Sequence, residues 1–215
     1  NEETILIDGE TSNIDYRNGF VVYHNNIPYL FLEASTGSSS NNGIIIINAL
    51  TGDIIKQDIS IKVRFHSCIT LNNDIYFIGY QIPLADHFHH IIKYSFDSNT
   101  FTILNTYQTT AQETEEALGK INGKFFAISR TTGVPNRYFN LFLFNPDWSI
   151  KKEIPLELGH DVFYTTPFIF RKGSKLLFTF ISRQGSKETP GNLFTYEITE
   201  ENDNFNFELK NIYPA

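Results

Sequence analysis

The stretch Leu71-Asn72-Asn73-Asp74-Ile75-Tyr76-Phe77-Ile78-Gly79 joins a tight polar pair to a strand-like apolar run. Two adjacent Asn residues between apolar segments suit a two-residue hairpin of type I′, because both central positions need positive φ and Asn tolerates it. The arrangement recurs three more times. Asn25-Asn26 precedes the run Ile27 to Leu32, Asn122-Gly123 precedes Lys124 to Ser129, and Gly173-Ser174 precedes Lys175 to Ile181. Along Asn26, Asn73, Gly123 and Ser174 the successive spacings are 47, 50 and 51 residues. The four turns are therefore read as equivalent hairpin tips.

Each tip is followed by the same plan. A third strand is expected at Ile44 to Asn48, Ile91 to Phe96, Asn140 to Phe144 and Asn192 to Ile198. A second turn follows each, as Leu50-Thr51-Gly52-Asp53, Phe96-Asp97-Ser98-Asn99, Asn145-Pro146-Asp147 and Glu200-Glu201-Asn202-Asp203, so turn chemistry recurs in phase. Four strands per repeat of about 50 residues is the blade plan of a β-propeller. The expected fold is all-β, a small four-bladed propeller in one domain over 1–215, with blades near 15–60, 61–110, 111–159 and 160–213. Part of a larger propeller and a β-sandwich are the alternatives. Thr4 to Asp8, in the segment 1–14, is expected to pair with the last blade and help close the ring. Gln112 to Leu118 reads as a turn of helix in a blade connection.

The second repeat, from Leu71-Asn72-Asn73-Asp74-Ile75-Tyr76-Phe77-Ile78-Gly79 through Lys93-Tyr94-Ser95-Phe96-Asp97-Ser98-Asn99-Thr100-Phe101, resembles a kelch-type blade. Ala49-Leu50-Thr51-Gly52-Asp53 is similar to the turn of quinoprotein-type blades. Gly79-Tyr80 stands where the kelch pattern has a double glycine, and the chain holds no Trp-Asp dipeptide. The resemblance implies a repeat scaffold and names no ligand.

Composition narrows the function. Hydrophobic residues make up 41% and aromatics 15% of the 215 residues, enough for a packed core. A formal net charge of -7 offers no general attraction for nucleic acid or anionic lipid, so neither is an expected partner. Cys68 is the only cysteine, which excludes an intramolecular disulfide and a Cys-based zinc site; it is expected to be a buried, inert thiol. No run reaches the length of a membrane span, and no basic-then-apolar leader opens the chain. The chain begins at Asn1 and has no methionine, which reads as a missing initiator, leader or upstream region and favours a secreted or surface protein, with a cytoplasmic one as the alternative. The absence of any Asn-x-Ser/Thr acceptor points toward a bacterial or intracellular source. A ring without exposed edges predicts a monomer. No cofactor is expected.

Three constellations could carry chemistry. The first is the set of long polar loops, Ala34 to Gly43, Tyr80 to His90, Arg130 to Tyr138 and Ser182 to Gly191, which share one face of the scaffold. The second is the set of residues that begin the inner strands: Asp15, Tyr16 and Arg17; Arg64 and His66; Glu115 and Glu116; His160 and Asp161. Converging acids, bases and a histidine assemble binding or acid–base sites. The expected ligand-binding set is Arg17, Arg64, His66, Glu116 and Asp161, walled by His87, Arg137 and Arg183, with Glu116, Asp161 and His66 as catalytic candidates. The third is Asp86-His87-Phe88-His89-His90, in which His87, His89 and His90 are weak metal-ligand candidates. Trp148 is expected to close a turn on the opposite face. The leading functional expectation is a non-enzymatic module holding a protein or carbohydrate. The alternative is a glycan-active propeller enzyme with two carboxylates at the channel mouth.

Overall fold

A computed structural model describes residues 15–35, 42–58, 63–81, 88–108, 112–132, 138–158, 167–182 and 191–214. They form four antiparallel sheets, each a meander of four consecutive strands. The first holds β1 (Asp15–His24), β2 (Ile27–Ser35), β3 (Asn42–Asn48) and β4 (Ile54–Asp58). The second holds β5 (Val63–Leu71), β6 (Asp74–Gln81), β7 (Phe88–Ser95) and β8 (Thr100–Gln108). The third holds β9 (Gln112–Ile121), β10 (Lys124–Thr132), β11 (Phe139–Phe144) and β12 (Ile150–Leu156). The fourth holds β13 (Phe168–Lys172), β14 (Lys175–Ser182), β15 (Asn192–Glu201) and β16 (Asn204–Pro214). This is the four-bladed propeller plan.

The hairpin tips explain why the blades form where they do. Asn25 and Asn26 have φ of 49° and 64°, Asn72 and Asn73 of 50° and 58°, and Asn122 and Gly123 of 48° and 81°, the pattern of type I′ turns. At the fourth tip only Gly173 is positive, at 61°, as a type II′ turn requires. Between β15 and β16, Asn202 and Asp203 repeat the type I′ signature.

Blades pack face to face through aromatic-rich cores. Phe31, Ile46, Phe65, Phe77 and Tyr94 join the first blade to the second. Ile78, Ile91, Leu118, Phe142 and Trp148 join the second to the third. Phe126, Phe139, Phe178, Phe180 and Tyr196 join the third to the fourth. Among the described residues no core cluster joins the fourth blade to the first, and Thr4 to Asp8 lie outside the described residues.

A second repeat is written in the irregularities. β1, β5 and β9 each carry one extra residue near their start, Asn18, His66 and Glu115. The outer strands bulge as well, at Ile55, Leu104, Lys151 and Lys210. A bulge re-aims the side chains around it. Opposite the bulge of β5 lies Gly79, where a Cβ would stand 2.1 Å from the carbonyl oxygen of Arg64. Only glycine lets β5 come that close.

The helical turn expected at Gln112 to Leu118 is corrected to strand: β9 begins at Gln112 and pairs with β10 from Gln112↔Thr132 to Ile121↔Lys124. Gln, Glu, Ala and Leu are good helix formers, but pairing and burial of Ala117 and Leu118 outweigh that preference.

Candidate functional site at the loop-side end

Inner strands begin where second strands end. The pairs Asp15↔Ser35, Val63↔Gln81 and Gln112↔Thr132 put the starts of β1, β5 and β9 beside the stems of the long loops. Arg17, Arg64, His66 and Glu116 therefore share one end of the propeller. The buried polar side chains gather there too: Glu33, His89, His90, Glu116, Ser129, Arg130, Asn140 and Ser182 all lie in the loop-side half of their strands.

Glu116 is the centre of this band. Its side chain is 0% exposed, and one oxygen, Oε1, is met by three groups. His89 Nδ1 lies at 2.8 Å, the Tyr107 hydroxyl donates at 2.9 Å and the Ser129 hydroxyl donates at 3.1 Å. The His89 ring is stacked on Tyr107, with centroids 5.2 Å apart and planes 16° apart. Burial alone would raise the Glu116 pKa, but His89 and the tyrosine hydroxyl outweigh it and hold the carboxyl below its ordinary value. It is a charged group locked in place.

The Glu116 backbone N–H donates to His66 Nδ1 at 3.2 Å. That nitrogen is therefore a lone-pair acceptor, the ring proton is on Nε2, and His66 is neutral. Burial, with smaller contributions from His89, Arg64 and Arg130, drives its pKa down to about 4, against the pull of Glu116. The 3.8 Å approach of His66 Nδ1 to Glu116 Oε2 is consequently not an ion pair. Two residues on, Leu118 N–H donates to Ser67 Oγ at 3.1 Å. β9 is the inner edge of its sheet, and β5 supplies the partners its open backbone lacks.

Arg64 extends the band to the first blade, its Nε 3.6 Å from Oε1 of the buried Glu33. Glu33 is opposite Arg17 in the β1–β2 register. His90 is turned to the other face of β7, where Nδ1 pairs with Thr106 Oγ1 at 2.8 Å, and burial lowers its pKa.

The structure thus groups Arg64, His66 and Glu116. Asp161, His87, Arg137 and Arg183 lie outside the described residues, as does His160. Among the described residues no three His, Cys, Asp or Glu side chains are arranged to hold a metal; His89 and His90 are engaged with Glu116 and Thr106 instead. Glu33, Tyr107, Ser129 and Arg130 join the band without having been singled out in the sequence. For Glu33 and Ser129 the signal was a polar residue at the end of an apolar run, as in Leu30-Phe31-Leu32-Glu33.

Cys68 packs beside the core of the first two blades, and burial pushes its thiol up to about 12, far from reactive. Trp148 closes the β11–β12 turn with its N–H on Asn145 O at 2.9 Å and stacks on Tyr76 at 5.2 Å. No helix among the described residues is long and apolar enough to cross a membrane.

No protein-family model matches the sequence, and no curated protein does. Solved structures do. A GH43 β-1,3-galactosidase is 18% identical over 95% of this chain and 47% of its own, with a TM-score of 0.61. An exo-β-1,3-galactanase from Phanerochaete chrysosporium, solved with galactose, is 10% identical over 95% of this chain and 51% of its own, with a TM-score of 0.65. An exo-1,5-α-L-arabinanase from a bovine ruminal metagenomic library is 8% identical over 91% of this chain and 79% of its own, with a TM-score of 0.58. The chain spans about half the length of the first two. At these identities the likeness is one of fold, and the structures it is drawn to include five-bladed GH43 propellers. What stands of the kelch-type resemblance is the blade plan, four meanders of four strands each.

Proposed function

We propose that the chain belongs to a glycan-active propeller that takes carbohydrate at its loop-side end, around Arg64, His66 and Glu116. One observation carries the reading: the buried ionisable side chains are concentrated at that end, where burial costs most unless it serves a site. The fold likeness to galactose- and arabinose-polymer hydrolases supports sugar as the ligand class. In this reading Glu116 stays ionised and orients the band, since a carboxyl held below its ordinary pKa is a poor proton donor. Asp161 is the second carboxylate that the sequence offers.

The same locking of Glu116 favours a second reading, in which the module binds a glycan without cleaving it. One experiment separates them: incubation with β-1,3-galactan and α-1,5-arabinan oligosaccharides, following reducing-sugar release and calorimetric binding together. Release supports the enzyme, binding without release supports the module, and neither overturns the glycan assignment.

A further inference from the structure

One cross-strand row marks the face that each later blade turns to the blade before it, and it starts four residues ahead of the hairpin tip. In the second blade the row is Cys68↔Phe77↔Ile92, in one core with Phe31 and Ile46 of the first. In the third it is Leu118↔Ala127↔Phe142, in one core with Ile78 and Ile91 of the second. In the fourth it is Ile169↔Phe178↔Tyr196, in one core with Ile128 and Leu141 of the third.

The first blade carries the same row, Val21↔Leu30↔Ile47, extended by Ile54. It is as apolar as the others. Ile45 and Ile47 cluster with Leu30 and Leu32 of their own blade, and no described residue of another blade joins them. On the same face Val21, Tyr23 and Ile54 are 59, 68 and 51% exposed. A sheet face of this composition needs a neighbouring layer to cover it.

The fourth blade does not supply that layer. Its free face holds Thr179 and Thr195, whose hydroxyls lie 3.3 Å apart, and Glu197 paired with Lys175 and Lys210. Seating Val21, Leu30 and Ile47 on those ion pairs would strip them of water without offering a charge in return. Only the inner strand of that face is apolar, with Phe168 and Phe170 58 and 43% exposed.

We propose that a fifth four-stranded blade of the same polypeptide sits between the fourth blade and the first. Its forward face is apolar and uncharged, against Val21, Leu30 and Ile47. Its rear face is polar except along the inner strand, where it meets Phe168 and Phe170. Chain order gives the source: the described cores join first to second, second to third and third to fourth, so the next place in the ring falls to adjoining sequence. Five-bladed propellers are among the solved structures that this chain resembles. The inference rests on packing and stands or falls separately from the glycan-active reading.

Thiol labelling tests it, because the native Cys68 thiol, pushed up to about 12 by burial, stays unreactive. Tyr23→Cys, Phe170→Cys and an exposed control on β8, Ile103→Cys, are labelled with a polar maleimide in the 215-residue chain and in the polypeptide that its gene encodes. All three replace exposed side chains, so their melting curves should match the parent. In the 215-residue chain the three sites should label at similar rates. In the encoded polypeptide Tyr23→Cys and Phe170→Cys should slow about tenfold or more, with Ile103→Cys unchanged. Labelling there as fast as the control would overturn the proposal. Protection of Tyr23→Cys in the 215-residue chain would overturn it too: sedimentation at twice the monomer mass would then assign the face to a second copy, and at monomer mass to the chain's own residues.

Discussion

His66 accepts the backbone N–H of Glu116 through Nδ1, and a proton cannot be added to that nitrogen without breaking the bond. The contact ties the inner strand of one blade to that of the next. It also makes the joint sensitive to acid.

The sign of that sensitivity follows from the direction of the shift. The folded-state pKa of His66 is about 4 against an ordinary 6.5, so the unfolded chain binds the extra proton first and stability falls as pH drops from 6.5 toward 4. The full loss is about 3 kcal/mol. His90, also shifted down, adds in the same direction. Urea unfolding at pH 7, 6, 5 and 4 should show the decline, and His66→Asn, whose Oδ1 can replace Nδ1 as acceptor, should flatten most of it.

Glu116→Ala should cost about 3 to 5 kcal/mol, because it strands His89 without its buried partner. Tyr107→Phe removes one of the three groups on Oε1 and should cost about 1.5 kcal/mol. Thermal melting of the two variants reports the ratio. Similar melting temperatures for both would mean that Glu116 is not the centre of the network.

Gly123 has φ of 81°, and a Cβ there would meet nothing within 4 Å. Only backbone strain then opposes substitution. Gly123→Asn should be nearly neutral, since Asn73 occupies the equivalent position at 58°, whereas Gly123→Val should lose about 1 to 2 kcal/mol. Equal unfolding free energies for the two would contradict the turn assignment.

Gly79→Ala should be more damaging than either, because its Cβ would overlap the Arg64 backbone rather than a movable side chain. A loss of about 2 kcal/mol or more is expected, with the amide signals of Phe65, His66 and Ser67 displaced in NMR spectra. A parent-like spectrum would show that β5 has room to retreat.

The blades were legible because hairpin turns are local. Asn25-Asn26, Asn72-Asn73 and Asn122-Gly123 announce positive φ within two residues, and period-two alternation marks the strands that follow. The site was legible only in part. Arg64, His66 and Glu116 could be grouped from strand order, but the bulge that sets His66 apart depends on the register of two strands, and that register depends on Gly79 across the sheet. His89 read as a metal candidate for the same reason: its partner Glu116 is in the next blade. Gln112 to Leu118 was misread because local helix preference is visible in sequence and pairing with β10 is not.

The inner edge of β9 is occupied at three alternate positions, by His66 on Glu116 N–H, Ser67 on Leu118 N–H and Arg171 on the Lys120 carbonyl. A free strand edge is a template on which another chain can add, and the start of aggregation. Here side chains from two neighbouring blades cap the template, so self-association through β9 requires the blades to separate first. The outer edge strand β16 is guarded differently, by a bulge at Lys210 and by the Lys210–Glu208 and Lys210–Glu197 ion pairs. At β9, therefore, the residues that join neighbouring blades are also the ones that keep the strand edge from pairing with another chain.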